Sequence, residues 1–183
     1  NGKPRSWDLV RAHDSVAILL YHKAKDSLVF VRQFRPAVYM NKILSNHQEI
    51  NENIFDSYPT SFAFTLEMCA GILDKNKSPK EIAKEEIYEE CGFDVPLEKI
   101  EKIVKCAGSV GISGTEQTMF YAEVNDEMRT GNGCGNEHEG EMIEVVYYPV
   151  SECRKMIFDE TVVKSTGLMF AILWFLADRY KKA

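Results

Sequence analysis

The chain has 183 residues, 45% of them hydrophobic, which is the composition of a globular protein with a sizeable core. A net charge of −6 and a pI near 5.3 argue against nucleic acid as a standing partner, because phosphate-backbone binders carry a basic face. The five cysteines (Cys69, Cys91, Cys106, Cys134 and Cys153) form no CxxC pair, and their odd number suits a reduced, cytoplasmic protein better than a disulfide framework.

No Cys/His pair has the spacing of a zinc site. The opening NGKPRSWDLV does not read as a signal peptide. The most apolar run, 167–177, is about half the ~20 residues that span a bilayer, so a buried C-terminal helix is expected and no membrane partner.

In chain order, 16–21 (VAILLY) and 28–34 (LVFVRQF) are β-rich runs separated by a polar turn, and they predict a strand pair. Pro36 ends the second strand. Residues 40–61, polar and Asn-rich, read as a long loop or insertion. Residues 62–69 (FAFTLEMC) predict a strand that runs into a tight Gly turn at Ala70-Gly71. A helix follows with clear boundaries. Ser78 is its N-cap, Pro79 its first residue and Glu81 the third, a capping box. Ile82, Ala83, Ile87 and Cys91 form its apolar face, and Gly92 stops it.

Strands are predicted at 100–107 and 117–124 around the loop GSVGISGTE, and at 142–149. The segment 129–141 holds four glycines and is expected to be mobile. Helices are predicted near 151–158 and 166–181. No internal repeat is present, and the order of elements gives an α/β or α+β protein with a mixed sheet.

The helix after Gly71 carries the chemistry. Glu86, Glu89 and Glu90 stand at i, i+3 and i+4 and share a face. Like charges at this spacing cost a helix a few tenths of a kcal/mol. One reading is a solvated acidic face, offset by Lys80 and Lys84. The other is a Mg²⁺ site: Mg²⁺ takes oxygen ligands, keeps several waters and bridges to phosphates. The carbonyl of Ala70, at the strand end, is a further candidate ligand.

Gly71 and Glu86-Ile87-Tyr88-Glu89-Glu90-Cys91-Gly92-Phe93 resemble the Nudix box, G-x5-E-x7-R-E-U-x-E-E-x-G-U, with the Gly-to-Gly spacing intact. Lys77 stands where the pattern has its first Glu, and Glu85 where it has Arg. The first departure removes an outer group. The second removes a helix-internal salt bridge, for which Lys84 is the candidate replacement. The segments Arg5-Ser6-Trp7, VRQFRP (31–36), SVGISG (109–114), QTMFY (117–121) and EGEMIEV (139–145) resemble the nucleoside diphosphate sugar branch of this family. Within it they are most similar to the UDP-glucose pyrophosphatase, or UDP-sugar diphosphatase, type; ADP-ribose pyrophosphatases are cousins.

The resemblance implies a Nudix-type α/β/α sandwich with a mixed β-sheet, a single domain over 1–183, and a homodimer in which the N-terminal strands (about 1–35) pack against a second subunit. It implies Mg²⁺-dependent hydrolysis, with Mn²⁺ as substitute, of UDP-glucose or a related nucleotide sugar to UMP and a sugar 1-phosphate. An ADP-ribose pyrophosphatase is the rival within the class. A non-catalytic nucleotide-sugar binder is the rival outside it, kept open by Lys77 and Glu85. The implied metal ligands are Glu86, Glu89, Glu90, the Ala70 carbonyl and Glu141. Glu89 also counts among the implied catalytic residues. Glu139 is implied as the base that activates water, with Glu141 as the alternative, the two roles being exchangeable. Arg35 is implied to contact the diphosphate, Trp7 to stack on the base across the subunit interface, and Ile72 and Ser109 to line the substrate site.

Overall fold

Strand β1 (Ser15–His22) divides its side chains between two cores, as the period of two in a strand requires. Val16, Ile18 and Leu20 pack on one face with Ile82, Ala83, Ile87 and Cys91 of helix α2 (Pro79–Cys91). Ala17 and Leu19 pack on the other with Cys153 and Met156 of α3 (Val150–Ile157) and Leu168 and Ile172 of α4 (Thr166–Trp174). A strand covered on both faces has no polar side to show, which is why VAILLY reads as a continuous apolar run. The result is an α/β/α sandwich. The computed structural model describes residues 2–46, 52–135 and 141–180.

The remaining strands are β2 (Ser27–Phe34), β3 (Phe64–Glu67), β4 (Cys69–Ile72), β5 (Glu101–Ala107), β6 (Glu116–Val124) and β7 (Ile143–Pro149). Their order is β3-β2-β1-β6-β5, with β4 beside β1 and β7 beside β2. The β1–β6 pair is parallel over the whole of β1, and every other pairing of named strands is antiparallel, so the sheet is mixed.

One feature of the pairing makes room for a site. β1 and β2 pair only at their hairpin end, from Leu20↔Val29 to His22↔Ser27. Beyond that point the two strands part. β4 takes over the exposed edge of β1, from Ser15↔Ile72 to Ile18↔Cys69. β3 takes over that of β2, from Val31↔Glu67 to Phe34↔Phe64. The chain therefore crosses from one strand's edge to the other's at Met68, between β3 and β4.

That crossing corrects two expectations. The run 62–69 is not one strand, and Ala70-Gly71 is not a turn: Gly71 lies inside β4, opposite Val16. A third correction concerns 40–61. Pro36 ends β2, but it also opens a helix, α1 (Pro36–Leu44), at the first position where proline is favoured. Tyr39 and Ile43, one turn apart, bury that helix against Ile54 and Ala63 from short 3₁₀ turns at Glu52–Ser57 and Thr60–Ala63. Residues 47–51 of the segment lie outside the described residues. At the C-terminus α4 runs on from Trp174 as a π-helix, Phe175–Arg179, in the helix predicted over 166–181, of which 181 lies outside the described residues.

Helix α2 is as the sequence predicts. Ser78 Oγ accepts from the Glu81 N–H, and the Glu81 carboxylate accepts from the Ser78 N–H at 2.8 Å. Gly92 ends it in the left-handed conformation, with φ of 75°. A β-carbon there would also lie 2.3 Å from the backbone oxygen of Gly131. Gly92→Ala is therefore expected to lower stability by about 2 kcal/mol, read as a lower urea midpoint at unchanged m-value.

Candidate active site

Where β1 and β2 part, a cavity of about 400 Å³ opens. Ser15, Gln33, Arg35, Glu67, Ala70, Gly71, Ile72, Asp74, Lys75, Glu86, Glu89, Glu90, Gln117 and Glu141 line it. A larger groove of about 680 Å³, between Lys23, Glu98, Tyr121 and Met128, contains none of the α2 carboxylates. The chemistry-bearing side chains are in the smaller cavity.

Glu90 is the most enclosed of them, only 3% exposed. Its Oε2 accepts from the Ala70 N–H at 2.9 Å. Burial, aided by the negative charges of Glu86 and Glu141, pushes its carboxyl up to about 8, against the opposing hydrogen bonds from Ala70 and Cys69. In an extended strand a residue's N–H and C=O leave on the same side. The Ala70 carbonyl therefore also points away from β1, into the space that its N–H shares with Glu90.

Glu86 explains the glycine before it. A β-carbon on Gly71 would fall 2.0 Å from Glu86 Oε1, so the carboxylate occupies the space a side chain would fill. The requirement is close approach and not a turn. Glu89, half-buried, completes the row on α2. Burial disfavours the charged form of Lys75, but the fields of Glu89, Glu85, Glu86 and Asp74 outweigh it and hold the ammonium above its usual range.

Lys77 and Glu85, the two departures from the box, pair with each other. Lys75 stands 3.8 Å from the same Glu85. The two positions carry charges opposite in sign to the pattern's Glu and Arg, and together they tie the loop to the helix. Lys84 does not replace it, as was expected; it pairs with Asp94 at 3.0 Å, beyond the helix end.

The glycine-rich segment also differs from expectation over its described part. The Gly131 N–H donates to Gly92 O at 3.1 Å, the Cys134 N–H to Glu90 O at 3.0 Å and the Gly135 N–H to Glu89 O at 3.1 Å. These bonds satisfy carbonyls that the last turn of a helix leaves without partners. At Gly133, with φ of 70°, a β-carbon would sit 2.7 Å from Glu90 O. The glycines in 131–135 thus let the backbone lie directly on the end of α2. Residues 136–140, including Glu139, lie outside the described residues. Glu141, just before β7, is in the cavity wall.

Of the residues named from sequence, Arg35, Ala70, Ile72, Glu86, Glu89, Glu90 and Glu141 come together in one cavity. Trp7 and Ser109 do not line it. Trp7 is 72% exposed and its Nε1 donates to Gly111 O at 2.7 Å, while Ser109 lies exposed in the same 108–114 turn, with φ of 42°. Sequence reasoning missed Glu67, Asp74, Lys75, Gln33, Ser15 and Gln117. Glu67 had a signal: it is the one charge in the apolar run FAFTLEMC. Among the described residues, no three acidic, His or Cys side chains converge as a finished metal site.

No family model matches the chain. It is 39% identical to the uridine diphosphate glucose pyrophosphatase NUDT14 of Bos taurus, over 97% of this chain and 84% of that relative. To the protein of the same name from Mus musculus it is 35% identical, over 97% of this chain and 84% of the relative. To the GDP-mannose pyrophosphatase of Pectobacterium atrosepticum it is 33% identical, over 85% of this chain and 69% of the relative.

The raised Glu90 carboxyl has a consequence for stability. Folded chain binds more protons than unfolded chain between the ordinary value of 4.5 and about 8, so its contribution is lost as pH rises through that window. Melting in a metal chelator is expected to show a Tm difference between wild type and Glu90→Gln that moves against wild type from pH 5 to pH 8.5, then levels.

Proposed function

The chain belongs to the Nudix hydrolase family, and on that premise we propose that it hydrolyses the diphosphate of UDP-glucose or a related nucleoside diphosphate sugar, releasing UMP and a sugar 1-phosphate. The observation that carries this reading is the charge of the cavity. Among the described residues of the wall, Glu67, Asp74, Glu86, Glu89, Glu90 and Glu141 stand with two cations, Arg35 and Lys75. A diphosphate is repelled by such a wall unless divalent cations come with it. The donor set fits a hard cation such as Mg²⁺, or Mn²⁺ in its place, because the six acidic side chains of that wall all offer carboxylate oxygen. Glu86, Glu89, Glu90, Glu141 and the Ala70 carbonyl are the groups that would hold it. When bound, the cation supplies neutralisation of the diphosphate and a more acidic water.

The chain's own groups do the rest. Arg35 offers a planar pair of donors to phosphate oxygens and fixes the diphosphate in the cavity. A loop carboxylate, Glu139 with Glu141 as the alternative, takes a proton from water as its oxygen bonds to one phosphorus and the bridging P–O bond breaks. Ser15, Gln33 and Gln117 add neutral donors and acceptors to the wall, suited to sugar hydroxyls; Gln117 Nε2 already donates to Ser15 Oγ at 3.2 Å.

The N-terminal arm supports a homodimer of single-domain subunits. Trp7, Leu9 and Val10 are exposed together with Val110 and Ile112, and the Val10 N–H is tied to Ile112 O at 2.9 Å. A second copy laid on this apolar patch would give Trp7 its place beside a nucleotide base and bring Ser109 near the substrate. The five cysteines, none in a disulfide, fit a cytoplasmic setting. No helix among the described residues is long and apolar enough to cross a membrane.

Purified protein is expected to release UMP from UDP-glucose only with Mg²⁺ or Mn²⁺ present, and Glu90→Gln to lower the rate at least 100-fold. Preference for ADP-ribose, or binding of UDP-glucose without release above the variant, would overturn the assignment. Gly71→Ala is expected to displace the Glu86 carboxylate, lowering kcat at least tenfold while Tm moves by only a few degrees.

A further inference from the structure

The guanidinium of Arg35 does not stand alone in the cavity. Its Nε donates to Glu67 Oε1 at 2.7 Å and its Nη2 to Glu67 Oε2 at 2.6 Å, a two-point clasp. Glu67 is held in turn. It ends β3 in register with Val31, its side chain is 19% exposed, and the Thr65 hydroxyl also donates to it. Burial favours the neutral form of Glu67, but the bonds from Arg35 and Thr65 and the Arg35 charge prevail, so it stays ionised.

Three features of the clasp give it a role. First, Arg35 sits where β2 ends and α1 begins, with extended backbone and no cap bond from its side chain. A long side chain at such a junction has much rotamer freedom to lose, and something must hold it. Second, Glu67 takes two of the five N–H donors, all on one edge of a planar fork. Three remain, on Nη1 and Nη2, and the pinned plane fixes their direction. Third, both Glu67 oxygens are engaged by Arg35, so neither member of the pair can turn without breaking the clasp.

We propose that Glu67 is a positioning residue, which clamps Arg35 so that its remaining donors are presented to the diphosphate, and thereby sets substrate affinity. The proposal builds on the diphosphate reading of the site but does not require turnover. It also predicts a sign. Glu67 is one more negative charge in an acidic cavity, so removing it would tighten anion binding if charge were its whole contribution. If it positions Arg35, removing it weakens binding.

Binding of methylenediphosphonate, a diphosphate that cannot be hydrolysed at its bridge, in the presence of Mg²⁺ reads this directly by calorimetry. Glu67→Gln and Glu67→Asp are each expected to weaken binding about tenfold. With UDP-glucose, KM is expected to rise about tenfold and kcat to change less than threefold, an effect of about 1.4 kcal/mol on binding alone. Arg35→Ala combined with Glu67→Gln is expected to bind no worse than Arg35→Ala alone, because the clamp has nothing left to hold. Tighter or unchanged binding in both Glu67 variants, additive losses in the double variant, or no binding by wild type would overturn the proposal. If methylenediphosphonate binding follows the expected pattern while UDP-glucose is not turned over, the hydrolase reading fails and the clamp stands.

Discussion

β1 and β2 share three residue pairs and then separate, and the cavity exists because of that short pairing. Strands that stayed paired to their ends would leave no opening between Ser15 on one and Gln33 and Arg35 on the other. β3 and β4 fill the gap as two short strands on one crossing run, held to β2 on one side of Met68 and to β1 on the other. This crossing puts Glu67 beside Arg35 and Ala70 beside Glu90. α2 then closes the opening, its apolar face fixed to the β1 side of the sheet and its acidic face turned to the cavity.

Crowding six carboxylates in such a space is unfavourable, and the chain answers it group by group. Glu67 is matched by Arg35, and Glu85, just outside the wall, by Lys77. Glu90, too buried to remain an anion at neutral pH without help, keeps a hydrogen bond from Ala70 and a raised carboxyl. Glu86 gains space from a glycine opposite it. These local devices leave a net negative wall that a divalent cation would balance, the condition under which a diphosphate can enter.

Local signals made some of this legible in the sequence. The ends of α2 are written in Ser78, Pro79, Glu81 and Gly92, all acting within one turn, and the three glutamates follow from helical spacing. The buried strands β1, β2 and β6 show as apolar runs because both faces of the sheet are covered. What failed was decided at long range. The break at Met68 depends on which strand edge each half of the run finds, and no local feature of FAFTLEMC marks it. α1 was hidden because Pro36 serves two elements at once and only Tyr39 and Ile43 bury its nine residues. Lys77 and Glu85 each look like a loss when read singly; they become an ion pair only when the loop folds back on the helix. The placement of Glu141 came from resemblance alone, since a Gly-rich acidic stretch reads equally well as solvated loop.

The central claim is that the carboxylates of this cavity act together as a divalent-cation site that a diphosphate completes. Mn²⁺ titration followed by electron paramagnetic resonance tests it without relying on turnover. Mn²⁺ is predicted to bind wild type, to bind more tightly when methylenediphosphonate is added, and to lose at least tenfold in affinity in Glu86→Gln and in Glu90→Gln. Mn²⁺ binding that neither substitution weakens, or that the diphosphonate leaves unchanged, would contradict the account.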